Sequence, residues 1–270
     1  MRSEPSALMS TPQLATEAGY DVWMTNARGN YYSRGHVSKR VNSTQFWKFS
    51  FHEMGEFDLP AVIDFIRKIK DYPNQINFIG HSMGATALLV MLSVHPTYNQ
   101  YIRIGILLAP LAFMGNIKGP LRLLTTMSDR PPKHLLKVIG NTEFLPSRKI
   151  PKVLASKFCR GPKMFCTNPL FFFAGTIFED EILEESFIAR VLYHAPAGAS
   201  TNTILHYGQL VQNGKFHKFG HLTSEYNLAY VKAPIALITS TDDWLSTVPD
   251  YKYKLYKVYI YTYYVLVPKI

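Results

Sequence analysis

Residues 76–90 read INFIGHSMGATALLV: a short apolar run, then Gly80-His81-Ser82-Met83-Gly84, then residues that favour a helix. A G-x-S-x-G set between strand and helix makes a nucleophile elbow, where a sharp turn lifts a serine hydroxyl above the edge of a sheet. Glycine on either side lets the flanking backbone approach closely and tolerates the strain of the turn. The helix that follows aims its free N–H groups and positive end at charge developing near Ser82. The backbone N–H of Met83 is thereby expected to be one oxyanion donor. The motif therefore constrains fold and chemistry together, since it demands strand, tight turn and helix in that order.

The surrounding chain supplies more of the same alternation. Leu14–Gly19 reads as the end of a helix stopped by Gly19, and Tyr20–Met24 as a buried strand leading into the loop Asn26–Asn30. Glu53–Lys70 places Phe57, Val62, Phe65, Ile66 and Ile69 at helical spacing, with Pro60 near the first turns. Strands are expected at Ile76–Ile79 and Ile102–Leu108, with the elbow helix running to about His95 between them. Strand–helix alternation of this kind argues a mostly parallel sheet flanked by helices, an α/β fold.

From Leu111 to Lys232 the rhythm is lost, and a mainly helical insertion is expected, with patches at Leu121–Met127 and Ser186–His194. Val231–Ser240 restores a buried strand that ends at Asp242-Asp243. The reading divides the chain into a first part of the core with the elbow (1–110), an insertion (111–232), and a last core strand with its acidic loop and tail (233–270). That tail, Tyr251–Ile270, is crowded with Tyr and Lys, and as an exposed strand it would invite aggregation.

Composition removes several function classes. The net charge of +10 comes from dispersed Lys and Arg without a nucleic-acid motif, which leaves a weaker attraction to anionic surfaces. No apolar run approaches the roughly 18–20 residues that span a bilayer, and residues 1–13 lack the apolar core of a signal peptide. Cys159 and Cys166 have no C-x-x-C spacing, so a metal site is not expected; a local disulfide and two free thiols both fit the residues. Asn42-Ser43-Thr44 is a glycosylation sequon if the chain is exported.

A serine nucleophile needs a base within hydrogen-bond reach and an acid to orient it, in the chain order nucleophile, acid, histidine. Asp243, just beyond a strand, is placed as the acid, with Asp242 as the neighbouring alternative. None of the nine histidines follows Asp243. His81 points along the elbow, and His194, His206, His217 and His221 fall in or near the insertion, where ordinary core or surface roles are expected. No triad histidine is assigned.

The segments GYDVWMTNARGNYYSRGH, FWKFSFHEMGEFDLPAVIDFI, GHSMGA, APLAF, HAPAGASTNTILHYGQL and APIALITSTDDWLS closely resemble the acid-lipase family, which includes gastric and lysosomal acid lipases and insect relatives. The resemblance runs from about Leu14 to about Ser246. It implies an α/β-hydrolase core with a helical cap, and a secreted or lysosomal enzyme. Such an enzyme works without a cofactor on triacylglycerols or sterol esters at a lipid–water interface. Ser82 matches the nucleophile, Met83 the residue after it, Asp243 the triad acid, and Cys159/Cys166 the cap disulfide at a shorter spacing.

Four departures accompany the match. The chain is expected to start downstream of the family's first strand and its His-Gly-Leu oxyanion loop. Met83 stands where the family has Gln, and the connection Phe216–Ala233 is shortened. The Tyr/Lys-rich tail replaces the family's histidine segment. The expectation is an ester hydrolase whose sequence is incomplete at both ends and which turns over poorly. The alternative is a non-catalytic lipid-binding relative. An esterase of small soluble substrates fits less well, given the long apolar insertion.

Overall fold

The computed structural model describes residues 11–70, 75–119, 122, 142–144, 197–241, 243–251 and 262–267. Four parallel strands form the sheet: β1 (Ile76–His81), β2 (Ile102–Leu108), β5 (Ile235–Ser240) and β6 (Thr262–Val267), in the spatial order β1-β2-β5-β6. All four point the same way, so their carboxyl ends share one edge.

Helix α1 (Thr11–Glu17) is stopped by Gly19 at φ +84°, as the sequence indicates. The next helical unit begins two residues before its expected start. Ser50 caps α2 (Phe51–Glu53) through a full capping box, accepting from His52 N while the Glu53 carboxylate accepts from Ser50 N at 2.7 Å. A π-turn (Met54–Asp58) then leads into α3 (Leu59–Lys70). Gly55 lies in that turn because a Cβ there would fall 2.6 Å from both Ala87 O and Val90 Cβ. The two backbones can meet only where one of them carries no side chain.

Helix α4 (Met83–Val94) is buried continuously from Ala85 to Ser93, as expected of a helix apolar on every side. Leu88, Leu89, Met91 and Leu92 form the core with Phe51 and the inward strand residues Leu107, Ile235 and Leu237. Gly105 of β2 admits this contact, since its Cβ would strike Leu88 Cδ2 at 2.8 Å.

One expectation needs correction, and two segments add detail the sequence did not indicate. Tyr20–Met24 is not a strand but coil, and Tyr20, Trp23 and Met24 are 58%, 39% and 77% exposed. No described strand pairs with this segment, so its apolar residues have neither ladder nor cover. The insertion contains strand as well as helix: β3 (Glu143–Phe144) pairs antiparallel with β4 (Ala199–Ser200), ahead of α5 (Thr201–Asn213). The tail contributes Thr262–Val267 to the sheet as β6, where its backbone pairs with β5 from Ile235 to Ser240. The expected helices at 121–127 and 186–194 lie outside the described residues, apart from Arg122, and so do Cys159 and Cys166.

Candidate active site

Ser82 follows β1 directly and caps α4 with φ +50° and ψ −112°. An L-residue reaches positive φ only at a cost of order 1–3 kcal/mol, so the surroundings must hold it there. They do so on both sides of the residue. Its N–H donates to Leu108 O at 2.9 Å, and its carbonyl accepts from Thr86 N at 3.1 Å and Thr86 Oγ1 at 3.2 Å. Met83 is the first residue of α4, so its N–H has no acceptor one turn back and remains available beside Ser82.

Of the two motif glycines only Gly80 is sterically required. A Cβ there would meet Ala85 N at 2.7 Å, whereas one on Gly84 meets nothing within 4 Å among the described residues.

Asp243 lies beyond β5, on the same edge of the sheet. Its Oδ1 accepts from Leu245 N at 2.7 Å and Ser246 N at 2.9 Å, which fixes the carboxylate while Oδ2 makes no hydrogen bond among the described residues. In register, His81 at the end of β1 pairs with Leu108 and Leu108 with Ile238, so β5 runs two residues further, to Ser240, before the chain turns to Asp243. The strands that carry the serine and acid loops stand two strand spacings apart, about 10 Å. The neighbouring candidate, Asp242, lies outside the described residues.

His134 and His194, two of the nine histidines, lie outside the described residues. None of the other seven bonds to Ser82 or Asp243. His81 and His221 are exposed, His36 Nδ1 accepts from Ser38 N and Lys39 N, and His95 Nε2 bonds Glu56 O.

The remaining three build a buried cluster between α2 and α5. His206 is fully buried and stacks on Phe51 at 3.8 Å; its Nε2–H donates to His217 O and its Nδ1 lies 3.0 Å from Ser50 Oγ. Burial pushes its pKa down to about 3. His52, bonded to the Tyr226 hydroxyl at 2.8 Å, is also held below its usual value by burial and then by Lys218. His217 Nε2 meets Asn213 Nδ2. Of the ordinary core or surface roles left open for His206 and His217, both residues occupy buried positions.

The sequence reading missed Thr86 and Ser246. Each sits at a revealing interval, Thr86 four residues after the serine and Ser246 three after the acid. Among the described residues no three His, Cys, Asp or Glu side chains gather as metal ligands.

A strained serine at a strand–helix elbow, with an anchored carboxylate on the same edge of a parallel sheet, defines the α/β-hydrolase class. The sequence profile of the alpha/beta hydrolase fold matches residues 8–133. The chain is 36% identical over 256 residues to Lipase 3 of Drosophila melanogaster, covering 89% of this chain and 64% of that protein. It is 34% identical over 253 residues to gastric triacylglycerol lipase of Mus musculus and to lysosomal acid lipase/cholesteryl ester hydrolase of Homo sapiens, covering 88% of this chain and 62% of each. A solved lipase-esterase related protein from Clostridium acetobutylicum aligns at TM-score 0.45 and 13% identity, covering 90% of this chain and 73% of that one. The chain has the α/β-hydrolase fold and is similar over most of its length to gastric and lysosomal acid lipases. It spans slightly less than two thirds of the length of the curated relatives named above.

Proposed function

We propose that this chain carries the catalytic face of a serine ester hydrolase acting on neutral-lipid esters, triacylglycerols or sterol esters. The observation that carries the reading is the strained Ser82 held at the carboxyl end of β1, with the anchored carboxylate of Asp243 beyond the carboxyl end of β5 in the same parallel sheet. In the proposed reaction Ser82 Oγ attacks the ester carbonyl, and the Met83 N–H stabilises the tetrahedral oxyanion. The alcohol leaves, and water then releases the acid from the acyl-enzyme. Water takes the serine proton and returns it to the leaving alkoxide, and the Asp243 carboxylate stabilises the positive charge that forms in between. No described histidine bonds to Ser82 or Asp243, so turnover is expected to be orders of magnitude below that of a complete triad.

The rest of the reading extends from the relatives. Residues 111–232 are proposed as the cap over Ser82, the Cys159/Cys166 pair as its disulfide, and exposed Asn42 as a glycosylation site. A secreted or lysosomal location and work at a lipid–water interface follow the gastric and lysosomal relatives. No helix among the described residues is long and apolar enough to cross a membrane.

The test is hydrolysis of p-nitrophenyl butyrate and p-nitrophenyl palmitate by this chain and by Ser82→Ala. Turnover that falls by about tenfold or more in the variant supports the reading, since the missing base has already removed most of the triad's contribution. Equal rates from two folded samples refute it, and retention on triolein emulsions would then favour the lipid-binding alternative.

A further inference from the structure

Four consecutive residues at the end of β2 and just beyond it, Leu108–Leu111, have backbone bonds to the serine elbow, to α4, to the acid loop and to β5. Leu108 O accepts from Ser82 N at 2.9 Å, and Ala109 N donates to Ile238 O at 2.8 Å. Pro110 O accepts from Ser246 Oγ at 2.9 Å. Leu111 N donates to Thr86 Oγ1 at 3.3 Å, and Leu111 O lies 3.1 Å from the same hydroxyl. Thr86 Oγ1 is also 3.2 Å from Ser82 O, and Ser246 N donates to Asp243 Oδ1.

One unbroken series of bonds therefore runs from Ser82 through Thr86, Leu111, Pro110 and Ser246 to Asp243. Both hydroxyls in it are buried, Thr86 at 0% and Ser246 at 1% exposure.

Two further features show that the segment is held in an unfavourable conformation. Ala109 has φ +47°; it and Ser82 are the non-glycine positive-φ residues of the described chain, and they end adjacent strands. Ala109 also precedes a proline, which restricts it further. Such strain persists only where the surroundings over-determine it. Ser246 is fixed a third way, because its carbonyl accepts from Thr239 Oγ1 at 3.1 Å.

We infer that Thr86 and Ser246 are positioning residues which, through the Leu108–Leu111 turn, set the separation of Ser82 and Asp243. The inference rests on the hydrolase reading above. Displacement of either reactive group by about 1 Å is enough to cost on the order of a hundredfold in rate. Removing a hydroxyl that merely satisfied a buried carbonyl would lower stability and leave kcat unchanged.

The experiment measures kcat and KM for p-nitrophenyl butyrate with the wild-type chain, Thr86→Val, Ser246→Ala, their double variant and Thr86→Ser. Expected are kcat losses of about tenfold or more in each single variant, with KM changed less than about twofold. The double variant should lose no more than the worse single one, because the two act through one connection. Thr86→Ser should recover most of the loss, because it restores the hydroxyl. Wild-type kcat in both single variants overturns the inference. So does a loss that Thr86→Ser fails to recover, or losses that simply multiply in the double variant. Absence of Ser82-dependent turnover in the wild-type chain refutes the hydrolase reading itself and removes this inference with it.

Discussion

A Cβ built on Gly80 would come within 2.8 Å of Gly84 C and Phe78 Cε1 as well as meeting Ala85 N, and two of those three atoms are backbone. Nothing flexible can yield. Gly80→Ala is therefore expected to cost about 1–3 kcal/mol through overpacking, read as a lower urea midpoint. Gly84 lies in α4 with open space at its Cβ, so Gly84→Ala should be neutral or add up to about 1 kcal/mol of helix propensity. A Gly84→Ala loss equal to that of Gly80→Ala would show that the space is not open. The motif marks both glycines alike, and only the approach of another chain segment separates them. Ser82, Met83 and Asp243 were legible because their spacing reflects local backbone geometry. Thr86 and Ser246 were not, since their partners lie 25 and 136 residues away along the chain.

Helices α2 and α5 are joined by polar contacts more than by the apolar face that periodicity detects. Ser50 Oγ, His206 and the His217 carbonyl form the contact, with Phe51 stacked on the imidazole. This has a consequence for acid stability. The folded His206 pKa is about 3 against 6.5 for the free side chain, so the unfolded chain binds the proton first as pH falls. The contribution of His206 is complete above pH 6.5 and is lost steadily as pH drops from 6.5 towards 3, by about 1.4 kcal/mol per pH unit. Urea midpoints at pH 7, 6, 5 and 4 should fall, and His206→Gln should flatten the slope by about one proton. An unchanged slope would mean that His206 protonates freely in the fold. Periodicity located α3, α4, β1, β2 and β5 within a few residues, because burial and spacing coincide there. It failed at Tyr20–Met24, where β-propensity is high but no described neighbour completes a ladder. It also missed the capping box at Ser50, whose signal is three polar residues rather than an apolar pattern.

Each connection in this sheet steps the same way, from β1 to β2, then to β5, then to β6. Parallel crossovers are right-handed in nearly all proteins, and the β1–β2 connection is fully described. Helix α4 lies in it and occupies one face of the sheet, against Gly105 of β2. The opposite face carries Asn77, Ile79, Ile104, Ile106 and Ile238, of which Ile79 is 46% exposed and the other isoleucines only half-buried. Parallel sheets are stable when both faces are covered. A second uncovered surface lies along α3, where Phe65 (56% exposed) and Ile69 (52%) face solvent and the Trp23 ring meets Phe65 at 6.2 Å. Exposed apolar residues that cluster on a surface promote association. The chain is thus expected to bind the dye 8-anilinonaphthalene-1-sulfonate while folded and to scatter light increasingly with concentration. A variant carrying Ile79→Lys and Phe65→Lys should bind less dye and stay monomeric to higher concentration. Its melting temperature should change little, because exposed substitutions usually move stability by less than about 0.5 kcal/mol. Unchanged dye binding and scattering would place the association elsewhere on the molecule. A melting temperature that fell sharply would mean that these two residues are packed in solution, and that the sheet's second face is covered after all.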